Sequence, residues 1–343
     1  MIKYTLKIQE IRKETKDTIT LCFKQPALRK MRYQAGQYIS LSFRINGRKY
    51  TRPYSFSSSP SGDVFLETTV KRIPNGILSN HIHNHVQVGD VVEVLEPMGD
   101  FVHEEDETFG EIFFWGVGSG ITPLISIIKE VLISNSGTKV NLIYGNKNFE
   151  STIFLELINE LLVKYPDQLT VWHFHSQYEH SENHHFVRSG RINKDFMLEL
   201  LKNKNIGKTK HYICGPKELK TTIIDVLSQI HCPQENIFSE EFELVKNPKD
   251  FEGIETHTVH VKFQGNEIPV AVAKGKSVLE AALDAGIELP YSCQTGSCSQ
   301  CKGKAHEGDL KMIGLTKERT DLQKGEFLLC CSHPLKENVC IEV

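Results

Sequence analysis

The sequence predicts a multidomain protein: an antiparallel β-barrel, then an α/β domain with a five-stranded parallel sheet, then a small domain built around cysteines. Three observations predict this fold class. Short runs of alternating polar and apolar residues fill the N-terminal third, strands and helices alternate in the middle, and three cysteines crowd into one loop near the end. The predicted boundaries are 1–105 for the barrel, 106–245 for the α/β domain, 246–257 for a linker and 258–343 for the last domain.

Composition narrows the possible partners. The 343 residues carry a formal net charge of −3, which offers no basic surface for nucleic acid or for an anionic membrane. No apolar run reaches the length of a membrane span, and the first residues lack the pattern of a signal peptide. Nine cysteines in such a chain predict reduced thiols. We therefore expect a cytoplasmic protein, monomeric by itself, that binds neither nucleic acid nor membranes.

The barrel is predicted from half-buried strands at 4–8, 18–23 and 37–43, in which polar and apolar residues alternate. Turn signals such as Asn46-Gly47 separate these runs. Several short strands joined by regular turns are typical of a small antiparallel barrel.

Two segments of the barrel region are suited to binding a phosphorylated ligand. Arg52 and Tyr54 would share one face of a strand, where they offer a planar guanidinium fork and an aromatic ring. Gly76 precedes a helix predicted to start near Ser79, whose free N–H groups would face a diphosphate. Each segment taken alone also fits an ordinary strand or helix cap.

The α/β domain begins with a continuous apolar strand at 112–115, predicted to be buried on both faces of a parallel sheet. The strand leads into glycines at 116, 118 and 120 and then into a helix. Such a turn lets the backbone approach a pyrophosphate at a helix N-terminus, although many turns of this kind need glycine for steric reasons alone. Further strands are predicted at 139–144, 169–175, 212–214 and 237–242, with helices at 152–164 and 194–202 and one ending at 227.

Two groups of histidines could suggest a metal site, but the segment 177–189, which holds three of them, is polar and has no apolar periodicity. We interpret that segment as a loop and assign neither group of histidines to a metal site. They are His81, His83 and His85 in one group and His173, His175, His180, His184 and His185 in the other.

The C-terminal domain is organised around Cys293, Cys298 and Cys301, and a fourth cysteine, Cys330, follows much later in the sequence. This C-x4-C-x2-C spacing with a distant fourth cysteine is the plant-type ligand pattern of a 2Fe–2S cluster. A zinc ribbon would need two C-x2-C pairs, and only one is present. Because Cys331 directly follows Cys330, either could be the fourth ligand.

Residues 258–343 resemble a plant-type ferredoxin domain, which implies an α+β fold of the β-grasp type. In that family the fourth ligand follows an apolar strand, which favours Cys330 after the run 327–329. Ser299 stands where glycine is common and Gln294 where a basic residue is common. Both departures lie in the cluster loop, so they bear on its potential and on partner docking.

The preceding residues resemble the ferredoxin-NADP reductase superfamily. The matching motifs are R-x-Y-S at 52–55, G-x-x-S at 76–79, G-x-G-S-G-I-T-P at 116–123, C-G-P at 214–216 and E-E-F at 240–242. The resemblance implies that residues on the barrel hold FAD, namely Arg52, Pro53, Tyr54, Ser55, Val70, Lys71, Arg72, Gly76, Ile77, Leu78 and Ser79. It implies that residues of the α/β domain hold the nicotinamide nucleotide or border the flavin, namely Gly116, Gly118, Ser119, Gly120, Thr122, Asn146, Cys214, Gly215, Pro216, Glu240 and Phe242.

The nucleotide is expected to be NADPH rather than NADH. Lys147 and Ser151 follow the second strand of the sheet, where an NAD site usually has an acid. The nearest acid, Glu150, comes late in that loop.

The order of the three domains resembles that of flavin iron–sulfur reductases that serve oxygenases, closest to the phenylacetyl-CoA epoxidase reductase subgroup. It implies an NAD(P)H-dependent oxidoreductase that passes electrons through FAD and the cluster to an oxygenase or a similar redox protein. FAD stands between the two because a hydride delivers an electron pair whereas the cluster accepts one electron. No acid–base catalytic residue is expected. Two alternatives stay open: a reductase of another oxygenase, dioxygenase or desaturase, and a non-enzymatic electron relay with a vestigial nicotinamide site.

Overall fold

The computed structural model describes residues 2–26, 30–104, 109–134, 137–177, 186–244, 246–315 and 318–343. The chain divides into two compact units. One consists of Met1–Ile39 and Tyr54–Glu240, and the other of Ser40–Pro53 and Glu241–Val343.

The N-terminal sheet is antiparallel and closes on itself. Its strands are β1 (Lys3–Thr15), β2 (Thr18–Phe23), β3 (Tyr38–Ile45), β4 (Arg48–Ser55), β5 (Leu66–Lys71) and β6 (Val91–Leu95). Their order is β4-β3-β6-β1-β2-β5. A bridge between Phe56, just after β4, and Thr68 of β5 joins the two ends of that order, as in a barrel. Helix α1 (Ile77–His85) follows β5.

The second sheet is parallel and carries helices on both faces. Its strands are β7 (Glu111–Val117), β8 (Lys139–Asn146), β9 (Leu169–His175), β10 (Val187–Ser189), β11 (Thr209–Cys214) and β12 (Ile237–Glu240), in the order β10-β9-β8-β7-β11-β12. The helices are α2 (Ile121–Ser134), α3 (Leu155–Lys164), α4 (Lys194–Leu201) and α5 (Lys217–Gln229).

Strand β7 shows why the sheet is buried on both faces, as its apolar sequence predicts. Phe114 packs into one core layer with Leu124 of α2, whereas Phe113 packs into the other layer with Phe196 and Ile223 of α4 and α5. Alternate residues of one apolar run therefore serve two separate layers.

The sheet has six strands rather than the five predicted. The additional strand, β10, has only three residues and pairs in parallel with the end of β9, where Val187 faces His173. Its short polar sequence carries no periodic signal, so its pairing comes from the neighbouring strand rather than from its own composition. Strand β12 also ends at Glu240, before the predicted end at 242.

The C-terminal part has the β-grasp arrangement. Its strands are β13 (His257–Phe263), β14 (Asn266–Val272), β15 (Lys302–Glu307), β16 (Leu310–Met312), β17 (Glu326–Leu328), β18 (Ser332–Pro334) and β19 (Val339–Glu342), and its helix is α6 (Val278–Asp284). Five of them form a sheet of order β14-β13-β19-β15-β17, and β16 pairs with β18. The first and last strands, β13 and β19, lie side by side and parallel. Val259 and Ile341 of these strands pack with Leu279 of α6 in one core. The predicted order of antiparallel, parallel and β-grasp folds is confirmed.

Candidate cofactor sites

The four predicted cluster ligands lie in the second unit, on the loop between α6 and β15 and in the turn after β17. Their thiols interact in two pairs, Cys293 with Cys298 and Cys301 with Cys330. A hydrogen bond from the Cys298 thiol is the largest of the effects that lower the pKa of Cys293 to about 4. Two thiolates for each of two irons is the ligand requirement of a 2Fe–2S cluster, and paired sulfurs fit it.

The loop around these sulfurs is tightly curled. Three of its residues have positive φ angles, 59° at Gln294, 77° at Gly296 and 57° at Ser299. Glycine is favoured at 296 because its φ of 77° is left-handed, and a Cβ there would also lie 2.3 Å from Cδ2 of Leu315 and displace that side chain. The curl turns backbone N–H groups toward sulfur: Cys293 donates to Sγ of Cys298 and Thr295 donates to Sγ of Cys293, each over 3.4 Å. Such donors favour anionic sulfur and fit a bound cluster.

The adjacent thiols of Cys330 and Cys331 interact with each other, and each has a further partner of its own. Cys331 donates its S–H to the carbonyl of Leu328 over 3.3 Å, back into its own turn. Cys330 interacts with the distant Cys301 as well as with Cys331. The backbone holds these segments together, because the N–H of Leu329 donates to the carbonyl of Cys301 over 2.9 Å.

One residue near the loop, Arg319, is not singled out by any sequence motif. Its guanidinium donates to the carbonyl of Gly296 and to the hydroxyl of Ser299. It also forms a bidentate pair with Asp321, in which Nε lies 2.8 Å from Oδ1 and Nη2 lies 2.7 Å from Oδ2. A lone arginine in a polar segment gives no sequence signal, so only the tertiary structure reveals this contact.

The candidate flavin segment on β4 keeps the alternation that its sequence predicts. Arg52 and Tyr54 are partly exposed, and Ser55 is buried. The Arg52 guanidinium donates to the carbonyl of Thr51 over 2.8 Å. Its remaining N–H groups can still meet a phosphate, because guanidinium carries five donors.

The second flavin segment forms a turn and the start of α1. Gly76 is the residue before the helix, and no side chain caps the first helical turn. Ser79 is occupied in the turn itself, since its hydroxyl accepts a hydrogen bond from the N–H of Ile73 over 3.1 Å. Arg72 donates to the side-chain oxygen of Asn84 over 2.8 Å. The uncapped N–H groups of α1 are suited to a diphosphate. Nearby, Ile77 is exposed while Val70 and Leu78 are buried.

The glycine turn after β7 is packed against the end of β11. A Cβ at Gly120 would lie 2.1 Å from the carbonyl oxygen of Cys214, so the two segments meet only because residue 120 is glycine. Gly118 has a φ of 55°, and its carbonyl accepts a hydrogen bond from the Tyr144 hydroxyl over 3.0 Å. Thr122 donates to the carbonyl of Ser119 over 3.0 Å. The structure thus brings this turn and the 214–216 segment together at the carboxyl ends of parallel strands, where such folds bind nucleotides.

The barrel and the glycine turn also meet within the first unit. A Cβ at Gly118 would lie 3.8 Å from Nζ of Lys71, which belongs to the candidate flavin segment. The candidate flavin and nicotinamide segments therefore approach each other at this point. A Cβ at Gly116, by contrast, would lie 2.9 Å from Cδ1 of Leu124 and meet the core.

Cys214 is a buried neutral thiol. Burial raises its pKa well above the ordinary value, and the carboxylate of Glu240, its partner across β11 and β12, raises it further. It can pack against a nicotinamide but cannot serve as a thiolate near neutral pH. Gly215 and Pro216 lead into α5, and Phe242 lies beyond β12 with 46% of its side chain exposed.

The candidate residues for a 2′-phosphate are only partly available. Ser151 is engaged in a capping box with Asn148, accepting from its N–H over 3.1 Å and donating to its carbonyl over 3.0 Å. Lys147 is exposed. The buried Nδ2 of Asn146 has no hydrogen-bond partner among the residues that the structure describes.

His180, His184 and His185 lie outside the described residues. Within the described ranges, no three histidine, cysteine, aspartate or glutamate side chains converge as ligands of one metal ion. His83 contacts the carbonyl of Val70 through Nε2 over 3.0 Å, an ordinary structural role.

A closed antiparallel sheet, a parallel nucleotide-binding sheet and a β-grasp domain with paired cysteines together define a modular flavin, nicotinamide and iron–sulfur oxidoreductase. Family models support each module. The model described as oxidoreductase FAD-binding domain matches residues 5–103, oxidoreductase NAD-binding domain matches 114–224, and 2Fe-2S iron-sulfur cluster binding domain matches 261–335.

Curated relatives match over nearly the whole chain. The 3-ketosteroid-9-alpha-monooxygenase ferredoxin reductase component of Mycolicibacterium smegmatis is 30% identical over 97% of this chain and 95% of its own length. One of the subunits of the 1,2-phenylacetyl-CoA epoxidase of Escherichia coli K12 is 29% identical over 99% of this chain and 97% of its own length. The chain therefore belongs to the family of FAD-, NAD- and 2Fe–2S-binding oxidoreductases that includes these components. The predicted class of enzyme and its cofactor domains are confirmed.

Solved structures share the fold. Phthalate dioxygenase reductase, a modular structure for electron transfer from pyridine nucleotides to a 2Fe–2S centre, superposes with a TM-score of 0.70 at 22% identity, over 99% of this chain and 98% of its own. An intact self-sufficient cytochrome P450 monooxygenase gives a TM-score of 0.68 at 22% identity, over all of this chain and 41% of its own. In the described part of the chain, no helix is both long enough and apolar enough to cross a membrane.

Proposed function

We propose that this protein is the NAD(P)H-dependent reductase component of a multicomponent oxygenase, passing electrons from NAD(P)H through FAD and the 2Fe–2S cluster to the oxygenase. Two observations support the proposal. In the first unit, Lys71 of the candidate flavin segment lies next to Gly118 of the glycine turn. The second unit holds four cysteines whose thiols interact in two pairs. A two-electron donor site and a one-electron outlet are thus encoded in the same polypeptide.

Each group of candidate residues receives a role in this proposal. Arg52 and the uncapped start of α1 bind the FAD phosphates, and Tyr54 packs on the flavin ring. Thr122 and Cys214 flank the nicotinamide, and the glycine turn binds the pyrophosphate. Glu240 and Phe242 border the flavin. Cys293, Cys298, Cys301 and Cys330 ligate the cluster.

When bound, FAD would accept the two electrons of a hydride, and the cluster would transfer electrons one at a time. The residues of this chain contribute orientation and exclusion of water. Cys214 and Thr122 are buried, so they exclude water from the side of the nicotinamide that they contact. Tyr144 fixes the carbonyl of Gly118, so the glycine turn keeps its shape before a nucleotide arrives. No residue needs to donate or remove a proton during hydride transfer, so the proposal assigns no acid–base catalyst.

The proposed partner is an oxygenase of the phenylacetyl-CoA epoxidase type. The relative of that name supports the proposal by its match over 99% of this chain, although the steroid monooxygenase relative matches at a similar identity. The proposal includes a cytoplasmic location and a monomeric state for the isolated component.

Two measurements test the proposal. Anaerobic addition of NADPH to purified protein should bleach the flavin absorbance stoichiometrically and then produce the electron paramagnetic resonance signal of a reduced 2Fe–2S cluster. An unreduced flavin would favour the electron-relay alternative. Reconstitution with the oxygenase components then decides the partner. We expect turnover with the components of phenylacetyl-CoA epoxidase and none with the oxygenase of 3-ketosteroid-9-alpha-monooxygenase, and the reverse would contradict the assignment.

A further inference from the structure

The guanidinium of Arg319 spans the cluster loop on both sides of one ligand. Its acceptor Gly296 lies between Cys293 and Cys298, and its acceptor Ser299 lies between Cys298 and Cys301. One planar group therefore ties together the two halves of the loop that must stay at a fixed separation for four sulfurs to reach two irons.

Ser299 makes this contact possible at a strained position. Its φ of 57° lies in the left-handed region, where a residue with a Cβ is disfavoured relative to glycine. Glycine would relieve that strain but would provide no hydroxyl. The hydrogen bond from Arg319 holds Ser299 in the required conformation. We call this pair of residues, which together close the cluster loop, the Arg319–Ser299 latch.

Arg319 is also a fixed positive charge near the ligands. Its side chain is only 13% exposed, and it interacts electrostatically with Cys298 and Cys293. Its counter-charge, Asp321, is 57% exposed and therefore hydrated. Reduction of the cluster adds one negative charge, which a nearby, largely shielded cation stabilises and a nearby anion destabilises.

We propose that Arg319 is a positioning residue of the iron–sulfur site, which closes the cluster loop through Gly296 and Ser299 and raises the reduction potential of the cluster, with Asp321 opposing that effect. This inference rests on the 2Fe–2S assignment made above and extends it to a residue outside the ligand set. Lysine cannot replace arginine in the latch, because a single ammonium has no planar fork for two acceptors and a carboxylate.

The first test is the midpoint potential of the cluster, measured by redox titration of the full-length protein followed by electron paramagnetic resonance. Arg319→Gln should disfavour reduction threefold or more, which is about 28 mV for a one-electron couple. Asp321→Asn should shift the potential the other way. The matched control is Arg44→Gln, which removes an exposed arginine paired with an exposed carboxylate and should leave the potential unchanged.

The second test is the rate at which a chelator bleaches the cluster. Arg319→Lys and Ser299→Ala should each bleach at least threefold faster than the wild type. The double variant should be no faster than Arg319→Lys alone, because that variant already removes the hydrogen bond to Ser299. Independent, multiplicative effects would refute the latch.

The outcomes separate this inference from the proposed function. A wild type that binds no cluster would overturn the function itself. A cluster whose potential is unmoved in both Arg319→Gln and Asp321→Asn would overturn only the role of Arg319. If Arg319→Gln cannot hold the cluster, Asp321→Asn decides, since it leaves the arginine in place: an unchanged potential or a shift toward lower potential contradicts the proposal.

Discussion

The backbone N–H of Thr51 donates to the phenolic oxygen of Tyr291 over 2.9 Å, within the second compact unit. The hydroxyls of Ser40 and Ser292, also buried, are 2.7 Å apart in the same place. Through these contacts the β3–β4 hairpin is fastened to the residues that immediately precede Cys293. The strand that carries Arg52 and the loop that carries the first cluster ligand are therefore joined by two buried hydrogen bonds.

Tyr291→Phe should destabilise this unit by about 1–3 kcal/mol, because it leaves the buried N–H of Thr51 without an acceptor. Denaturant unfolding followed by the visible absorbance of the cluster measures the change. Tyr50→Phe, on the same hairpin with its ring beneath Arg48, is the matched control and should have a smaller effect. Equal losses in the two variants would show that the Thr51 contact contributes nothing specific.

Cys298→Ser should abolish the cluster signal while NADPH-dependent reduction of a small dye continues. The reason is that the cysteines and the nucleotide turn belong to different compact units. Metal analysis, flavin content and dye reduction check the prediction together. Joint loss of cluster and dye reduction, with the protein still folded, would contradict the separation of the modules.

Cys330→Ser and Cys331→Ser should differ sharply. The first removes the partner of Cys301 and should lose the cluster, whereas the second removes a thiol that donates to the carbonyl of Leu328 and should keep it. Iron and sulfide content of the two purified variants, each beside the wild type, gives the answer. Retention of a full cluster in Cys330→Ser would assign the fourth ligand to Cys331.

Lys147→Ala should weaken kcat/KM for NADPH by about 1–3 kcal/mol, the scale of one charge-assisted hydrogen bond, while sparing NADH. The side chain is exposed, whereas the hydroxyl of Ser151 is already engaged with Asn148. Lys164→Ala, at the far end of α3, is the charge-matched control. Equal losses for both cofactors, or a native preference for NADH, would refute the assignment.

The parallel sheet should lose stability in mild acid because of His211. Both ring nitrogens are engaged, Nδ1 accepting from Trp115 over 3.2 Å and Nε2 contacting the Thr209 hydroxyl over 3.0 Å, and burial lowers the pKa to about 3. The unfolded chain takes up a proton below about pH 6.5, whereas the folded chain does not until about pH 3. The free energy of unfolding should therefore decrease as the pH is lowered from about 6.5 to about 3, by up to about 1.4 kcal/mol per pH unit for this residue.

Tryptophan fluorescence measures this effect selectively, since the only two tryptophans, Trp115 and Trp172, both lie in the parallel sheet. His211→Gln keeps a side-chain acceptor for Trp115 and should reduce the slope of the pH dependence, while part of it remains because burial also lowers the pKa of His173 of β9 to about 4. The control, His231→Asn, changes an exposed histidine of the same domain. An unchanged slope in His211→Gln would contradict the prediction.

The sequence by itself determined the features that depend on neighbouring residues in the chain. The cysteine spacing predicts three ligands in one loop because a short segment can curl around one point. The apolar run at 112–115 predicts a strand buried on both faces because alternate residues must face opposite layers. The glycines of the 116–120 turn predict a close backbone approach, and the Cβ that would meet Cys214 at 2.1 Å shows why residue 120 is one of them.

Only the tertiary structure decided the relationships between distant segments. Strand β10 exists because β9 offers an edge to pair with, and the barrel closes because Phe56 reaches Thr68. Arg319 donates to Ser299 of the cluster loop, and Thr51 donates to Tyr291. The residues of each pair are far apart in the sequence, and no sequence pattern predicts either contact. The physical reason is that periodicity and spacing encode local geometry, whereas the partner of a side chain far along the chain is set by how whole elements pack.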